Sequence, residues 1–364
     1  MIVQHINNDS WELDQWDQFL MSSPRGHYCQ LSTYLKSFKV YGFNSHVIVV
    51  KYRGNDQIIG GIGLLEFGKQ PLKLVVAPMG PIIDVGHEDS FSLLISEALS
   101  YSKSVGAFLF QLKIPFTEEF SDSAILPRIR MPINASHRYG FPFDIMAVPN
   151  EMLWIEFGKT TSHEEWQSQM FERFKKNTRR DIRKSERNGL SVLQVTEESE
   201  LKKAYSVIEL NGRVQGYSTR SWEQFGRTLV EQVNKGQAIV LVACREGQFL
   251  GTHYGVLAGQ RWSYVMGGTV RTEKDYLVGH FIQWQAMKKA HAMGFRGYDL
   301  TSMGNSGIRN FKMGFSPTHI QFASPHYFIL SRLRFSAFMK VYPALRKFKS
   351  TFARYAKFIY RDVK

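Results

Sequence analysis

Two kinds of hydrophobic spacing alternate along this chain: short apolar runs bounded by turn residues, and longer stretches with apolar positions three or four apart. In the first half, residues 46–51 and 58–66 read as strands joined at Gly54-Asn55, 74–77 as a third strand, 90–102 as a helix and 107–112 as another strand. The second half repeats this grammar. Residues 151–157 read as a strand, and Ser162 followed by Glu165 has the spacing of a capping box that opens a helix. Trp166, Met170, Phe174, Thr178 and Ile182 recur every four residues. That spacing predicts one continuous helix with a packed face, its Arg and Lys residues projecting elsewhere and its end at Asn188-Gly189. Residues 238–243, 250–257 and 262–266 then form a strand meander turning at Glu246-Gly247 and Gly259-Gln260. Residues 274–293 make a long helix stopped by Gly294, and 297–300 return as a strand.

From Pro325 the pattern changes. Phe328, Leu333, Phe335, Phe338, Tyr342 and Phe352 interleave at helical spacing with Arg332, Arg334, Lys340, Arg346 and Arg354, predicting a basic amphipathic helical tail over 326–364 that Pro343 should kink or split. Such a face suits an anionic membrane surface, and it also suits a helix pair capping the second half. A length of 364 residues favours two domains, expected at 1–150 and 151–325 ahead of the tail, and 43% hydrophobic residues can fill both cores. Cys29 and Cys244 are too few for a disulfide framework and lack metal-ligand spacing. The first residues lack the basic start and apolar run of a signal peptide, and no window approaches the roughly 20 apolar residues of a bilayer span. The chain is expected to be cytoplasmic, with peripheral contact at the inner face of the plasma membrane as the tail's contribution.

Charge becomes informative once it is located. Eight Lys or Arg against two acidic residues between Arg173 and Arg187 give +6, ten against one from His326 to Lys364 give +9, and the rest of a chain of formal charge +14 is close to neutral. Two segments therefore build the positive field, and polyanions such as tRNA, nucleotide diphosphates or anionic lipid become plausible partners.

The chemistry concentrates in Tyr298-Asp299-Leu300-Thr301-Ser302-Met303-Gly304 and the following Gly307-Ile308-Arg309-Asn310-Phe311-Lys312. A strand ending in a glycine-containing turn brings backbone close to a ligand, with an aromatic and a cation beside it. Two further segments occur in order with it, Pro24-Arg25-Gly26 through Gln30 to Tyr34-Leu35-Lys36, and Gln215-Gly216-Tyr217-Ser218-Thr219-Arg220. Together, over roughly residues 15–320, they resemble the FemABX family of bacterial peptidoglycan-bridge aminoacyltransferases, in its armless form.

The resemblance implies an α/β (α+β) fold of two tandem GNAT-like acyltransferase domains. It implies that Lys312 stabilises the charge formed at the aminoacyl-tRNA end while Phe311 shapes the same pocket, and that Lys36 and Arg220 contact a diphosphate or peptide acceptor from two walls of a shared cleft. Arg179 and Arg183 of the basic run, with Asp299 and Gly304 of the turn, complete the expected substrate-binding set. The partners implied are the acceptor end of tRNA and a lipid-linked or nucleotide-linked glycopeptide. No cofactor and no metal are expected, the donor being a substrate. The sequence departs from the family at Lys113, where an acidic residue often stands, and at Tyr34, which replaces a Trp. No His-Glu-x-x-His, Cys-x-x-Cys, P-loop or Gly-x-Ser-x-Gly motif occurs. Two other readings stay open, an acyl-CoA-dependent N-acyltransferase of surface polysaccharide synthesis and a non-catalytic binder of anionic lipid or RNA. The typical pyrophosphate turn of a CoA enzyme is not matched by residues 271–279. Lys312 is expected to tolerate Met without loss of stability, as a surface residue would.

Overall fold

The computed structural model describes residues 1–6, 11–54, 56–115, 137–139, 149–159, 162–302, 304–323 and 325–347. Along the first half run β1 (Ile2–Ile6), α1 (Glu12–Ser22), a short 3-10 turn (Tyr28–Gln30), α2 (Ser32–Lys36), a second 3-10 turn (Ser37–Tyr41), β2 (Asn44–Lys51), β3 (Ile58–Phe67), β4 (Leu74–Ala77), β5 (Ile82–Ile83), α3 (Ser90–Ser104), β6 (Leu109–Leu112) and β7 (His137–Tyr139). The second half contains β8 (Glu151–Glu156), α4 (His163–Arg173), α5 (Lys176–Glu186), β9 (Ser191–Val195), α6 (Glu198–Gln215), α7 (Trp222–Asn234), β10 (Ala238–Arg245), β11 (Gln248–Ala258), β12 (Arg261–Thr269), α8 (Val278–Ala292), β13 (Gly297–Asp299), α9 (Ser306–Met313) and β14 (Thr318–Gln321). Then come β15 (His326–Ile329) and α10 (Arg332–Lys347). One sheet has the order β1-β2-β3-β4-β6-β15-β7, with β5 beside β3, and the other β14-β8-β13-β12-β11-β10-β9. The mixed α/β class with two sheets follows the sequence reading.

Turn chemistry sets the meander. Glu246 and Gly247 have φ of 51° and 76°, and Gly259 and Gln260 have 67° and 53°, so both hairpins use consecutive left-handed residues whose twist matches the strands. The expected single helix across Phe174 is two helices. Phe174 and Lys175 are extended, with ψ of 150° and 147°. The Lys175 N–H donates to Gly314 O at 2.9 Å, while the Phe174 ring packs edge-on against Trp284 and Phe315. Tertiary contacts thus outweigh continuation of the helix, and the four-residue spacing persists because Trp166 and Ile182 enter one core. The long helix also starts later than expected, because Asp275 Oδ1 accepts from Leu277 N–H at 2.8 Å and Leu277 is left-handed at φ 58°.

The tail departs most from the expectation of a helix. Its first residues are strand β15, inserted between β6 and β7 of the first sheet, with Phe328 opposite Phe110. One helix, α10, then runs through Pro343 without a split. Phe335, Phe338, Met339 and Tyr342 pack toward the core, Phe338 lying 5.2 Å from Phe108, while Arg332, Leu333, Lys340 and Val341 face outward. The described part of the tail therefore builds on the first domain and not the second. Among the described residues no helix is long and apolar enough to cross a membrane.

One hydrophobic cluster runs from Trp16 and Leu35 into Tyr205, Val240 and Tyr254, so the two sheets share a core. Within it, the buried Asp17 accepts from Ser32 N–H (2.7 Å), Ser32 Oγ (2.6 Å) and Gln237 Nε2 (2.8 Å). Thr33 Oγ1 donates to Gln237 Oε1 at 2.6 Å and accepts from Gln232 Nε2 at 3.0 Å. Satisfied buried polar groups of this kind specify one arrangement of the halves.

Candidate active site

The second sheet opens where its two central strands part. β12 and β13 pair in parallel only over Arg261–Gly297, Trp262–Tyr298 and Ser263–Asp299; an extra residue then bulges at Val265, and β12 continues to Thr269 while the chain after β13 turns away at Thr301, φ 58°. A cavity of about 660 Å³ fills the gap. Ile208 and Asn211 of α6, Gly279 and Gln283 of α8, and Phe311 and Lys312 of α9 enclose it. Gly268 allows the close approach of α6, since a Cβ there would lie 2.8 Å from Asn211 Cβ and 2.9 Å from Val207 O.

α9 positions the aromatic and the cation. Asn305 caps it, its side chain accepting from Ile308 N–H at 3.0 Å. Phe311 packs edge-on against His280 (4.9 Å) and Phe315 (5.4 Å). Lys312, only 6% exposed, donates to the carbonyls of Leu300 and Ser302, the latter at 2.7 Å. Nζ also donates to Thr301 Oγ1 at 3.5 Å, a long and weak contact that a ligand oxygen can replace. Lys312 is thus a buried, fully bonded group at the pocket, and its replacement by Met will not leave stability unchanged as the sequence reading expected. Burial pulls its pKa down to about 8, against the opposing pull of Asp299 and Glu151. Asp299 is also buried, and burial raises its pKa to about 6 even though Thr301 N–H donates to it at 2.7 Å and Arg261 and Lys312 favour its charge.

Beneath the cavity runs a neutral polar chain. Trp262 Nε1 donates to His253 Nε2 at 2.9 Å, and Tyr298 OH donates to Gln283 Oε1 at 2.6 Å, with the His253 ring 3.4 Å from the Tyr298 oxygen. Complete burial lowers the His253 pKa to about 3, so the ring is neutral at ordinary pH. At the rim, Asn211 Nδ2 donates to Tyr217 OH at 2.7 Å. The lining residues carry one formal charge, Lys312, and otherwise offer hydroxyl, amide and backbone groups.

Of the residues expected from sequence, Lys312, Phe311 and Gly304 line this cavity, and Asp299 stands behind the turn that Lys312 holds. Arg179 and Arg183 border a separate cavity of about 360 Å³ with Phe171 and Trp284, the Arg183 guanidinium 5.0 Å from the Phe171 ring. Lys36 and Arg220 do not line the main cavity. Lys36 ends α2, and Arg220 donates to the adjacent Ser37 Oγ at 2.7 Å with its guanidinium 4.3 Å from the Phe38 ring, so Arg220 is held by the turn that follows Lys36 at the domain junction. Sequence reasoning missed Asn211, Tyr264 and Gln283, which are spaced across three elements. It quoted Tyr217 and Thr219 but gave them no role.

An acetyltransferase (GNAT) domain family matches residues 172–313, the stretch that holds the cavity. None of the curated proteins matches the chain. In three dimensions it is similar to the crystal structure of FemX, at a TM-score of 0.75 and 16% identity over 93% of this chain and 99% of that one. A conserved protein of unknown function from Bacteroides thetaiotaomicron VPI-5482 is similar at a TM-score of 0.55 and 11% identity, over 91% and 100% of the two chains. The C-terminal domain of a protein described as a lysylphosphatidylglycerol synthetase, from Agrobacterium fabrum, is similar at 0.52 and 12%, over 90% and 94%.

Proposed function

For a chain that has the fold of FemX and a GNAT acetyltransferase domain, and so is an acyltransferase, we propose transfer of an amino acid from aminoacyl-tRNA to an amine of a peptidoglycan precursor or a related cell-envelope acceptor. The observation that carries this reading is the buried Lys312 ammonium at the cavity wall, held by the carbonyls of Leu300 and Ser302 and by a longer contact to Thr301 Oγ1 that a ligand oxygen can replace. The acceptor amine attacks the ester carbonyl, a tetrahedral oxyanion forms, and the C–O bond to the tRNA ribose breaks as the proton lost by the amine passes to the departing hydroxyl. A fixed cation beside the oxyanion lowers that barrier without reorganising. Phe311 and the neutral lining hold the aminoacyl group.

In this reading the basic face of α5, with Arg179 and Arg183, takes tRNA phosphates, and Lys36 with Arg220 lies toward the acceptor diphosphate. The names of FemX and the Agrobacterium fabrum protein support an envelope acceptor, lipid-linked or nucleotide-linked. The protein works in the cytoplasm, with contact at the inner membrane face through the 326–364 tail, of which 348–364 lie outside the described residues and the outward Arg332, Leu333 and Lys340 of α10 are available. The GNAT match supports a second reading, an acyl-CoA donor.

Incubation with labelled aminoacyl-tRNA or labelled acetyl-CoA, each with a nucleotide-linked muramyl peptide, decides the donor. Label moves to the acceptor from tRNA in the first reading; movement from acetyl-CoA alone replaces it with the second. The rate should also fall as pH rises past about 8, because the lowered Lys312 pKa removes the ammonium there while the charged form persists below it. A profile still rising at pH 10 would remove Lys312 from the oxyanion.

A further inference from the structure

Tyr217 and Thr219 reach the cavity because the chain folds back on α6 where that helix ends. Gly216 is left-handed at φ 75°, its N–H donates to Arg213 O at 3.3 Å, and the Tyr217 N–H donates to Gly212 O at 3.0 Å. An apolar side chain at the position of Tyr217 ordinarily packs back on the helix residue that accepts this second bond. Here that residue is glycine. The Tyr217 side chain reaches past it, and its hydroxyl accepts from Asn211 Nδ2 at 2.7 Å on the cavity rim. Thr219 occupies the space over Gly212, where an added Cβ would meet its Cγ2 at 2.9 Å. Tyr217 is therefore fixed at its backbone and at its hydroxyl, yet it is 42% exposed. Leu210 and Val214, one turn apart on α6, are 40% and 50% exposed, so large hydrophobic side chains stay in solvent beside the helix end that forms the rim.

An aromatic ring held in place and left in solvent at a cavity mouth suits a planar ligand, because little side-chain freedom remains to be lost when the two stack. The donor of the transfer proposed above carries such a group. Its ester oxygen belongs to the ribose of the terminal adenosine, so when the aminoacyl group enters toward Lys312 the base stays one sugar ring away, outside. Lys312 Nζ lies 5.4 Å from the centre of the Tyr264 ring, and Tyr264 and Tyr217 line the same cavity. We propose that Tyr217 is the platform for that base, adenine stacking on its exposed ring at the mouth while the aminoacyl group lies inside. The assignment rests on the aminoacyl-tRNA reading. In an acyl-CoA donor the pantetheine arm and a diphosphate separate the adenine from the thioester, so a stack at the mouth is a property of a nucleoside ester.

The probes are a stable donor analogue, 3′-deoxy-3′-(alanylamino)adenosine, and the same alanyl amide on the base-free sugar, each titrated by ligand-observed NMR into wild type, Tyr217→Phe and Tyr217→Leu. Both substitutions fall on an exposed residue, so their melts should lie close to that of wild type. Wild type should bind the adenosine amide more tightly than the base-free one. Tyr217→Leu should weaken the adenosine amide by about tenfold, the loss of one base stack, and leave the base-free amide as it was, while Tyr217→Phe keeps the ring and stays closer to wild type. An unchanged affinity of Tyr217→Leu for the adenosine amide, or equal losses on both probes, overturns the platform. So does a loss confined to a uridine-diphosphate-linked muramyl peptide, which would give the ring to the nucleoside of the acceptor. A wild type that binds acetyl-CoA and neither amide removes the aminoacyl-tRNA reading and the platform with it. A wild type that binds the adenosine amide equally well without the ring removes the platform alone.

Discussion

Lys312→Met should lower single-turnover transfer from the charged donor by about 100- to 1000-fold, the usual effect of removing one oxyanion donor from a preorganised site. Stability should fall as well. Met keeps the aliphatic stem but leaves the Leu300 and Ser302 carbonyls without their buried donor and Asp299 without one of its two cations, a loss of about 1–3 kcal/mol. One term opposes it. The folded pKa of Lys312 lies below its ordinary value, so the buried ammonium costs stability below about pH 8, and that cost fades as pH rises toward the unfolded value. The measurement is transfer by wild type and variant at a temperature where melts show both folded. Equal rates would sink the catalytic assignment; a lost rate with an unchanged melt would sink the account of the turn.

Gly26→Ala should be the most damaging single change outside the cavity. A Cβ there would lie 1.8 Å from Leu20 O and 2.9 Å from Gly259 N, both backbone atoms, so no rotamer change relieves it. A Cβ at Gly259, φ 67°, would in turn meet Gly26 O at 2.1 Å. The halves meet here backbone to backbone, and overpacking of this kind should cost about 3 kcal/mol. Gly86→Ala is the control: Gly86 is left-handed, unlike Gly26, but has nothing within 4 Å of its added Cβ, so the change should cost only the backbone strain of about 1 kcal/mol. Urea midpoints of the two variants check the contrast, and equal midpoints would contradict it.

What could be read from the sequence was what is local. Glu246-Gly247 and Gly259-Gln260 announced their hairpins because a left-handed turn needs those residue types. Phe311 and Lys312 were found because they adjoin a strand ending in a glycine-containing turn. The misses share a cause, contacts remote in sequence. The break after α4 depends on Gly314, and the strand character of 326–329 depends on β6. Lys312 was expected to be replaceable by Met without loss of stability because nothing near it in sequence shows that two carbonyls ten and twelve residues earlier will accept from it. Arg220 was recognised as a special cation, but the rings of Phe38 and Tyr41 that hold it lie in the other domain.

The insertion of β15 between β6 and β7 bears on how the protein is made. Leu112 pairs with His326, 214 positions later, so the first sheet lacks an interior strand until almost all of the second domain has left the ribosome. At 5–20 residues per second this is a wait of roughly 10–40 s. The second sheet, over residues 151–321, is itself complete only five residues before β15 begins. The β6 edge of the amino-terminal sheet therefore stays open while the second domain is being made, so chaperones that shield nascent strands have their work at the older end of the chain.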